Sequence, residues 1–211
     1  FRAAASGWSE LRYSAGPRCV VDFFPANVAS AAPLFAFIHG GYWRALDHRI
    51  FSFLARPWLA RGVHVAMIGY DLAPALSVRA IVDEARASLR FLRECADNLR
   101  VDMRRVVIGG HSAGAQLGAM SLSIDSEWQA IGFLGVSGVY DLEPLLATTV
   151  NLDIRLNAAD AIALSPIGQP LPMGTRYVCA VGEGETDGFR SQTRAFAAEL
   201  QRRGGSALSI E

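Results

Sequence analysis

The chain has 211 residues, of which 51% are hydrophobic, and this length and composition are sufficient for one sizeable buried core. Twenty basic residues balance twenty acidic ones, so the formal net charge is zero. A surface without excess charge lacks the electrostatic footprint of proteins that grip nucleic acid or anionic lipid. We therefore expect a single domain over residues 1–211 and a small-molecule partner, with no nucleic acid and no membrane.

The cysteines and the lack of long apolar runs in the sequence indicate the cellular compartment in which the protein is expected. No run approaches the roughly 20 apolar residues that span a bilayer, and residues 1–5 lack the long apolar segment of a signal peptide. Cys19, Cys95 and Cys179 are an odd number without paired spacing, and we expect all three to be buried as small hydrophobes. This usage is typical of a reducing compartment, so the cytoplasm is predicted. A homodimer is compatible with these observations.

Short apolar runs alternate with longer amphipathic segments, which is the pattern of strands joined by helices in a mostly parallel sheet. Strands are predicted at Val20–Phe24, Leu34–Ile38, His64–Ile68, Arg105–Ile108, Ile131–Val136, Tyr177–Val181 and Ala207–Ile210. Apolar residues three and four apart predict helices at Val78–Asn98 and Gln192–Arg202. Residues 141–170 have no strong period and predict short helices and loops, a small partial cap over one end of the sheet. Trp58 and Trp128 are expected to be packing residues.

The segment Gly110-His111-Ser112-Ala113-Gly114 follows a buried-strand pattern and opens a helix. A strand, a tight turn and a helix are the context of a nucleophile elbow, in which small residues two before and two after the serine allow close approach. Ser112 is therefore the predicted nucleophile, and the N–H of Ala113 is a predicted oxyanion donor at the helix N-terminus. His111 is too close in sequence to turn its ring onto Ser112 and is expected to be a spacer.

A second glycine motif follows the strand Leu34–Ile38 directly, as His39-Gly40-Gly41-Tyr42-Trp43. Loops of this type supply the other oxyanion N–H in lipases and esterases, because glycine lets the backbone approach the substrate oxygen. Gly40 and Gly41 are the predicted donors, with Gly41 preferred. Tyr42 and Trp43 either line a substrate pocket or pack against the loop. His39 is expected to hold the loop through hydrogen bonds to backbone. The two motifs together indicate an α/β-hydrolase fold, a mostly parallel sheet flanked by helices.

The sequence resembles the α/β-hydrolase kynurenine formamidases over most of its length. The residues that carry the resemblance are, in chain order, His39–Trp43, Tyr70–Pro74, Gly110–Gly114 and Tyr140–Leu142. The resemblance implies hydrolysis of N-formyl-L-kynurenine to kynurenine and formate, without a metal or organic cofactor. Asp71 and Asp141 follow aromatic residues at strand ends and are expected to cap a turn or a helix start.

The resemblance extends to the segment 182–192 and places Glu185 at the position of the triad acid. A carboxylate there holds the histidine tautomer and stabilises the imidazolium, and either Asp or Glu serves. The family more often has Asp, so Asp187 remains an alternative to Glu185.

A histidine is expected after the acid in this fold, and the four histidines, His39, His48, His64 and His111, all precede the acid. Either the base lies beyond Glu211, which we expect, or the protein is a pseudoenzyme that has lost it. Cleavage of an aryl formamide through an acyl-enzyme is the predicted function. A general short-chain carboxylesterase and a catalytically silent binding protein are the alternatives.

Overall fold

The computed structural model describes residue 5, residues 7–123 and residues 130–211. Trp128, predicted to be a packing residue, lies outside the described residues. The described residues form an eight-stranded sheet in the order β1-β2-β4-β3-β5-β6-β7-β8. The strands are β1 (Ser9–Arg12), β2 (Val20–Phe24), β3 (Ala32–Ile38), β4 (His64–Ile68), β5 (Val101–His111), β6 (Gly132–Val136), β7 (Arg176–Ala180) and β8 (Ser206–Ile210).

Strands β3 to β8 run parallel to one another, whereas β2 pairs antiparallel with β4, and β1 pairs antiparallel with β2 at the edge of the sheet. The predicted mostly parallel sheet is confirmed, and β2 and β4 have the predicted bounds. Strand β1 was not predicted, because its four residues alternate between half-buried and exposed and contribute no apolar run. Strand β5 begins four residues before the predicted Arg105, because its first half carries charged side chains.

The helices are α1 (Ala55–Leu59), α2 (Val78–Glu94), α3 (Ala96–Leu99), α4 (Ala113–Ser121), α5 (Asn151–Ile154), α6 (Ala158–Ala163) and α7 (Asp187–Arg202). The predicted helix Val78–Asn98 is divided at Cys95, whose φ of −90° and ψ of 2° end α2. The predicted helix at Gln192 begins five residues earlier, at Asp187. Cys19 and Cys179 are buried as expected, whereas Cys95 is half-buried at this helix end.

Successive side chains of β3 point to opposite faces of the sheet, and each face has its own hydrophobic core. Leu34, Ala36 and Ile38 face a large core that contains the apolar sides of α2, α4 and α7. Phe35 and Phe37 face a smaller core with α1. Helix α4 is buried along its whole length, so the turn that precedes it is held rigidly between sheet and helices.

The segment 141–170 contains short helical turns, as predicted: 3-10 turns at Glu143–Ala147 and Pro166–Gly168, with α5 and α6 between them. No helix in the described part of the chain is long and apolar enough to cross a membrane.

Candidate active site

Ser112 lies at the sharp turn between β5 and α4. Its φ of 54° and ψ of −119° place a non-glycine residue in a strained region of backbone space. The side chain is almost buried, with 7% exposure, and the residue is the N-cap of α4. This is the geometry that the elbow motif requires of its serine.

Gly110 and Gly114 permit the close packing that the elbow needs. A Cβ on Gly110 would lie 2.3 Å from the carbonyl carbon and oxygen of Gly114. A Cβ on Gly114 would lie 2.1 Å from the carbonyl oxygen of Ile38, the last residue of β3. Because these neighbours are backbone atoms, a larger residue at either position would displace strand or helix.

The glycine loop after β3 lies directly against the elbow. A Cβ on Gly40 would be 3.1 Å from the Cβ of Ser112 and 2.7 Å from the Nδ1 and backbone oxygen of His111. Gly41 has a φ of 116°, and its carbonyl oxygen accepts hydrogen bonds from the N–H groups of Arg44 and Ala45. Within the described residues, the N–H groups of Gly40, Gly41 and Ala113 donate no hydrogen bond. They remain predicted oxyanion donors.

His39 holds the glycine loop in place. Its Nδ1–H donates to the carbonyl oxygen of Gly40 at 2.7 Å, and Tyr70 donates to the carbonyl oxygen of His39 at 2.8 Å. The rings of His39 and Tyr70 stack with centroids 4.2 Å apart. Burial lowers the pKa of His39 to about 4, so its imidazole is neutral near pH 7. The structural role expected of His39 is confirmed.

Tyr42 and Trp43 point in different directions. Trp43 is fully buried, and its Nε1–H donates to Oε1 of Gln116 on α4 at 3.0 Å. Trp43 does not line the cavity described below, so the structure favours packing over a substrate pocket for this residue. Tyr42 is half-buried and does line that cavity. Both residues have positive φ, which turns the chain sharply after Gly41.

Glu185 lies after the carboxyl end of β7, at the same edge of the sheet as Ser112. Its Oε1 accepts a hydrogen bond from the hydroxyl of Ser137, which follows β6, and another from the N–H of Gly182 at 3.4 Å. Burial lowers the pKa of His111, and the charge of Glu185 partly offsets that lowering. The carboxylate therefore lies within electrostatic range of the residue that precedes Ser112.

Asp187, the alternative acid, is engaged elsewhere. It is exposed in the first turn of α7 and pairs with Arg190, which lowers the pKa of its carboxyl. The geometry therefore favours Glu185. Ser137 was not predicted, and only its place after an apolar strand, between Val136 and Gly138, marks it in the sequence.

None of the four histidines hydrogen-bonds to Ser112 or Glu185 within the described part of the chain. His48 Nε2 lies 3.4 Å from the buried carboxylate of Asp22. His64 accepts a hydrogen bond from Ala26 N–H at 2.8 Å. The ring of His111 packs against Gly40, and its buried Nδ1 has no hydrogen-bond partner in the described part of the chain.

The chain resembles known hydrolases in sequence over its whole length. The family model BD-FAE matches residues 22–132, more than half of the chain. The chain belongs to the BD-FAE family. It is 30% identical to a kynurenine formamidase of Salmo salar, and the match covers 100% of this chain and 74% of that protein. It is 26% identical to a kynurenine formamidase of Drosophila melanogaster, over 93% and 70% of the two chains. The resemblance predicted from the glycine motifs is thereby confirmed.

Solved structures agree on the fold. A candidate thioesterase from Silicibacter matches with a TM-score of 0.88 and 28% identity, over 100% of this chain and 80% of that chain. Esterase 2 of Thermogutta terrifontis matches with a TM-score of 0.80 over 100% and 84% of the chains, at 18% identity. This BD-FAE family member therefore has the α/β-hydrolase fold, and its relatives are hydrolases of amide and ester bonds.

A cavity of about 400 Å³ in this hydrolase lies beside the glycine loop and the start of α7. Ser112 is not among its lining residues, but Tyr42 and Thr186, the neighbours of Gly41 and Glu185 along the chain, are. Other lining residues come from the segment 141–170, namely Asp141, Pro144, Leu145, Thr148 and Ile167. The volume is in the range of small-molecule sites.

A separate cluster brings Cys19, Asp71 and Glu84 together, with one potential ligand atom from each within 4.8 Å of the others. Backbone N–H groups already occupy its carboxylates: Arg18 donates to Asp71, and Asp71 donates to Glu84, both at 2.8 Å. Burial raises the pKa of the Cys19 thiol to about 11, so the thiol is protonated near pH 7. The cluster acts as a hydrogen-bond network, so Asp71 is structural as expected, but its Oδ1 binds the N–H of Arg18 in a distant segment and does not cap the helix that follows it, whose N-cap is Ser77.

Proposed function

We propose that this hydrolase cleaves an aryl formamide, N-formyl-L-kynurenine in the first instance, through a formyl-enzyme on Ser112. The strained elbow of Ser112, packed against the glycine loop, is the observation that carries the proposal. Relatives named kynurenine formamidase, similar over 93% to 100% of the chain, support the choice of substrate.

In the proposed reaction, Ser112 Oγ attacks the formyl carbon while its proton passes to a histidine that Glu185 orients. The N–H groups of Gly41 and Ala113 stabilise the negative charge that develops on the carbonyl oxygen. The tetrahedral intermediate expels the aryl amine, which takes the proton from the imidazolium. Water then attacks the formyl-enzyme with the same histidine as base, and formate leaves.

Two features of the site serve this chemistry. The rigid setting of α4 keeps the Ala113 N–H in place, so the donor costs little reorganisation during the reaction. The hydrogen bonds from Ser137 and Gly182 both end on Oε1 of Glu185, which leaves Oε2 for a histidine N–H. None of the four histidines in the sequence follows Glu185, so the general base is the component that the described residues do not supply.

The test is turnover by the full-length protein of N-formyl-L-kynurenine, beside p-nitrophenyl acetate as a simple ester. We expect kynurenine release, its loss by several orders of magnitude in Ser112→Ala, and labelling of the wild type alone by a fluorophosphonate probe. Good turnover of the ester without cleavage of the formamide would replace the proposal with a short-chain carboxylesterase, for which the esterase relatives provide a precedent. Absence of labelling and of both activities would support a silent binding protein.

A further inference from the structure

The cavity beside the glycine loop has aromatic walls and one charged group. Tyr42 and Phe189 face each other with ring centroids 6.5 Å apart and an interplanar angle of 50°. Asp141 is the only acidic or basic side chain among the described residues that line the cavity. An apolar pocket with a single carboxylate is complementary to an apolar ligand with a single positive charge.

The backbone of Asp141 is clamped, so its carboxylate has a defined position. Gln192 Oε1 accepts from the N–H groups of Tyr140 and Asp141 at 2.8 and 2.7 Å, and Gln192 Nε2 donates to the Asp141 carbonyl oxygen at 2.7 Å. Asp141 Oδ1 accepts from the N–H of Glu143 at 3.0 Å. Oδ2 accepts no hydrogen bond from the described residues and is left for a ligand.

We propose that this cavity binds the aromatic portion of a substrate that carries a protonated amine, with the ring against Tyr42 and Phe189 and the ammonium on Asp141. The inference rests on the proposed function, because it makes the cavity the leaving-group site of the Ser112 reaction. Tyr42 adjoins the predicted oxyanion donor Gly41, and Thr186 adjoins Glu185, so a bound ligand lies next to both parts of the site.

Other charges near the cavity do not reverse this preference. The N-terminus of α7 lines the cavity and by itself attracts anions. That partial charge is about half of an elementary charge, which is smaller than the full negative charge of the Asp141 carboxylate. The nearby guanidinium groups are already paired, Arg44 with Asp153 and Arg190 with Asp187.

The experiment measures binding without chemistry, in a Ser112→Ala background of the full-length protein. Calorimetric titration compares 2-phenylethylammonium, 2-phenylethanol and phenylacetate, which share a ring and differ in charge. We expect the ammonium to bind about five-fold more tightly than the alcohol, the factor typical of a partly exposed ion pair, and phenylacetate to bind most weakly. Asp141→Asn should bring the ammonium and the alcohol to equal affinity.

Matched variants separate this contact from general charge effects. Glu143→Gln removes a nearby carboxylate that does not line the cavity and should leave the order of the three probes unchanged. Phe189→Leu should weaken all three by a similar factor, because it removes a wall that every ring contacts. An unchanged thermal midpoint in Asp141→Asn checks that the Oδ1 contact with Glu143 is retained.

Equal affinities, tightest binding of phenylacetate, an ammonium preference that survives Asp141→Asn, or no binding of any probe would each overturn the inference. These outcomes leave the proposed function standing if wild-type protein still releases kynurenine from the formamide. Conversely, loss of formamide turnover with an intact ammonium preference would refute the function and keep the binding site.

Discussion

Replacement of Trp43 by Phe tests how the glycine loop is fixed to α4, the helix that follows the proposed nucleophile. The indole N–H donates to Gln116 Oε1 at 3.0 Å, and both residues are fully buried. This hydrogen bond joins the loop after β3 to α4, the helix that follows Ser112. Phe keeps an aromatic ring and bears the same backbone cost at the φ of 56° found at Trp43. The substitution therefore removes only the N–H donor and part of the ring volume.

The expected loss of stability has two contributions. A buried Gln116 oxygen left without a donor costs about 1–3 kcal/mol. The smaller ring leaves a void whose cost we take as about 1 kcal/mol. The sum is about 2–4 kcal/mol in the free energy of unfolding. For a protein of this size each kcal/mol lowers the Tm by about 2–4 °C, so a decrease near 10 °C is expected.

The assay is urea denaturation of wild type, Trp43→Phe, Gln116→Met and the double variant. The second hydrogen bond of Gln116, from Nε2 to the Leu164 carbonyl oxygen at 2.9 Å, is lost in both Gln116 variants and cancels in the cycle. We expect a coupling free energy of about 1 kcal/mol. Additive effects, or an unchanged midpoint in Trp43→Phe, would show that this bond does not stabilise the loop.

Three further predictions concern the site itself. Ser137→Ala removes the hydroxyl that donates to Glu185, and should lower kcat of the full-length enzyme about tenfold with little change in KM. Gly40→Ala places a Cβ 2.7 Å from His111 Nδ1 and should slow fluorophosphonate labelling at least about 100-fold. His39 has a folded-state pKa of about 4 against an ordinary 6.5, so the unfolded state binds more protons between these values. Stability should therefore fall as the pH is lowered through that range, by up to about 1.4 kcal/mol per pH unit, and His39→Asn should lack this contribution.

Each of these three predictions has a control. For Ser137→Ala, we expect the denaturation midpoint of the wild type and a shifted acid limb in the pH profile of kcat/KM. These two results together would show that the hydroxyl positions Glu185, whereas a lower midpoint would indicate a folding defect. Gly168→Ala has no atom within 4 Å of the new Cβ and should label at the wild-type rate. If His39→Asn and wild type lose stability in parallel from pH 6.5 to 4, the inferred burial effect on His39 is wrong.

Local signals were enough to predict most of the fold. Buried parallel strands are continuous apolar runs, and β2 and β4 have the bounds that such runs predicted. The edge strand β1 was missed because one side of it faces solvent and contributes little apolar pattern. Helix α7 was predicted too short, because its first turn, with Asp187 and Gly188, is exposed and has no apolar period.

The site was predictable where a motif carries its own geometry. The elbow of Ser112 and the glycine loop each depend on residues a few positions apart, so both turns could be predicted from the sequence. By contrast, Trp43 and Tyr42 are adjacent in the chain, yet one is buried on α4 and the other lines a cavity. The two side chains differ in their contacts because Trp43 binds Gln116 on α4, whereas Tyr42 packs near Phe189 on α7, and both partners are distant in the sequence.

By itself, the sequence determined the fold class, and it was enough to propose Ser112 as the nucleophile and the glycine loop as its oxyanion partner, because hydrophobic period and glycine spacing act over short distances. Only the tertiary structure favours Glu185 over Asp187 as the proposed acid, since the contacts that distinguish them are to a hydroxyl after β6 and to an arginine on α7. It also makes Asp141 the single charged side chain among the described residues that line the cavity. Which charges are paired and which face a cavity depends on side chains brought together across the sheet, and spacing along a single chain does not encode it.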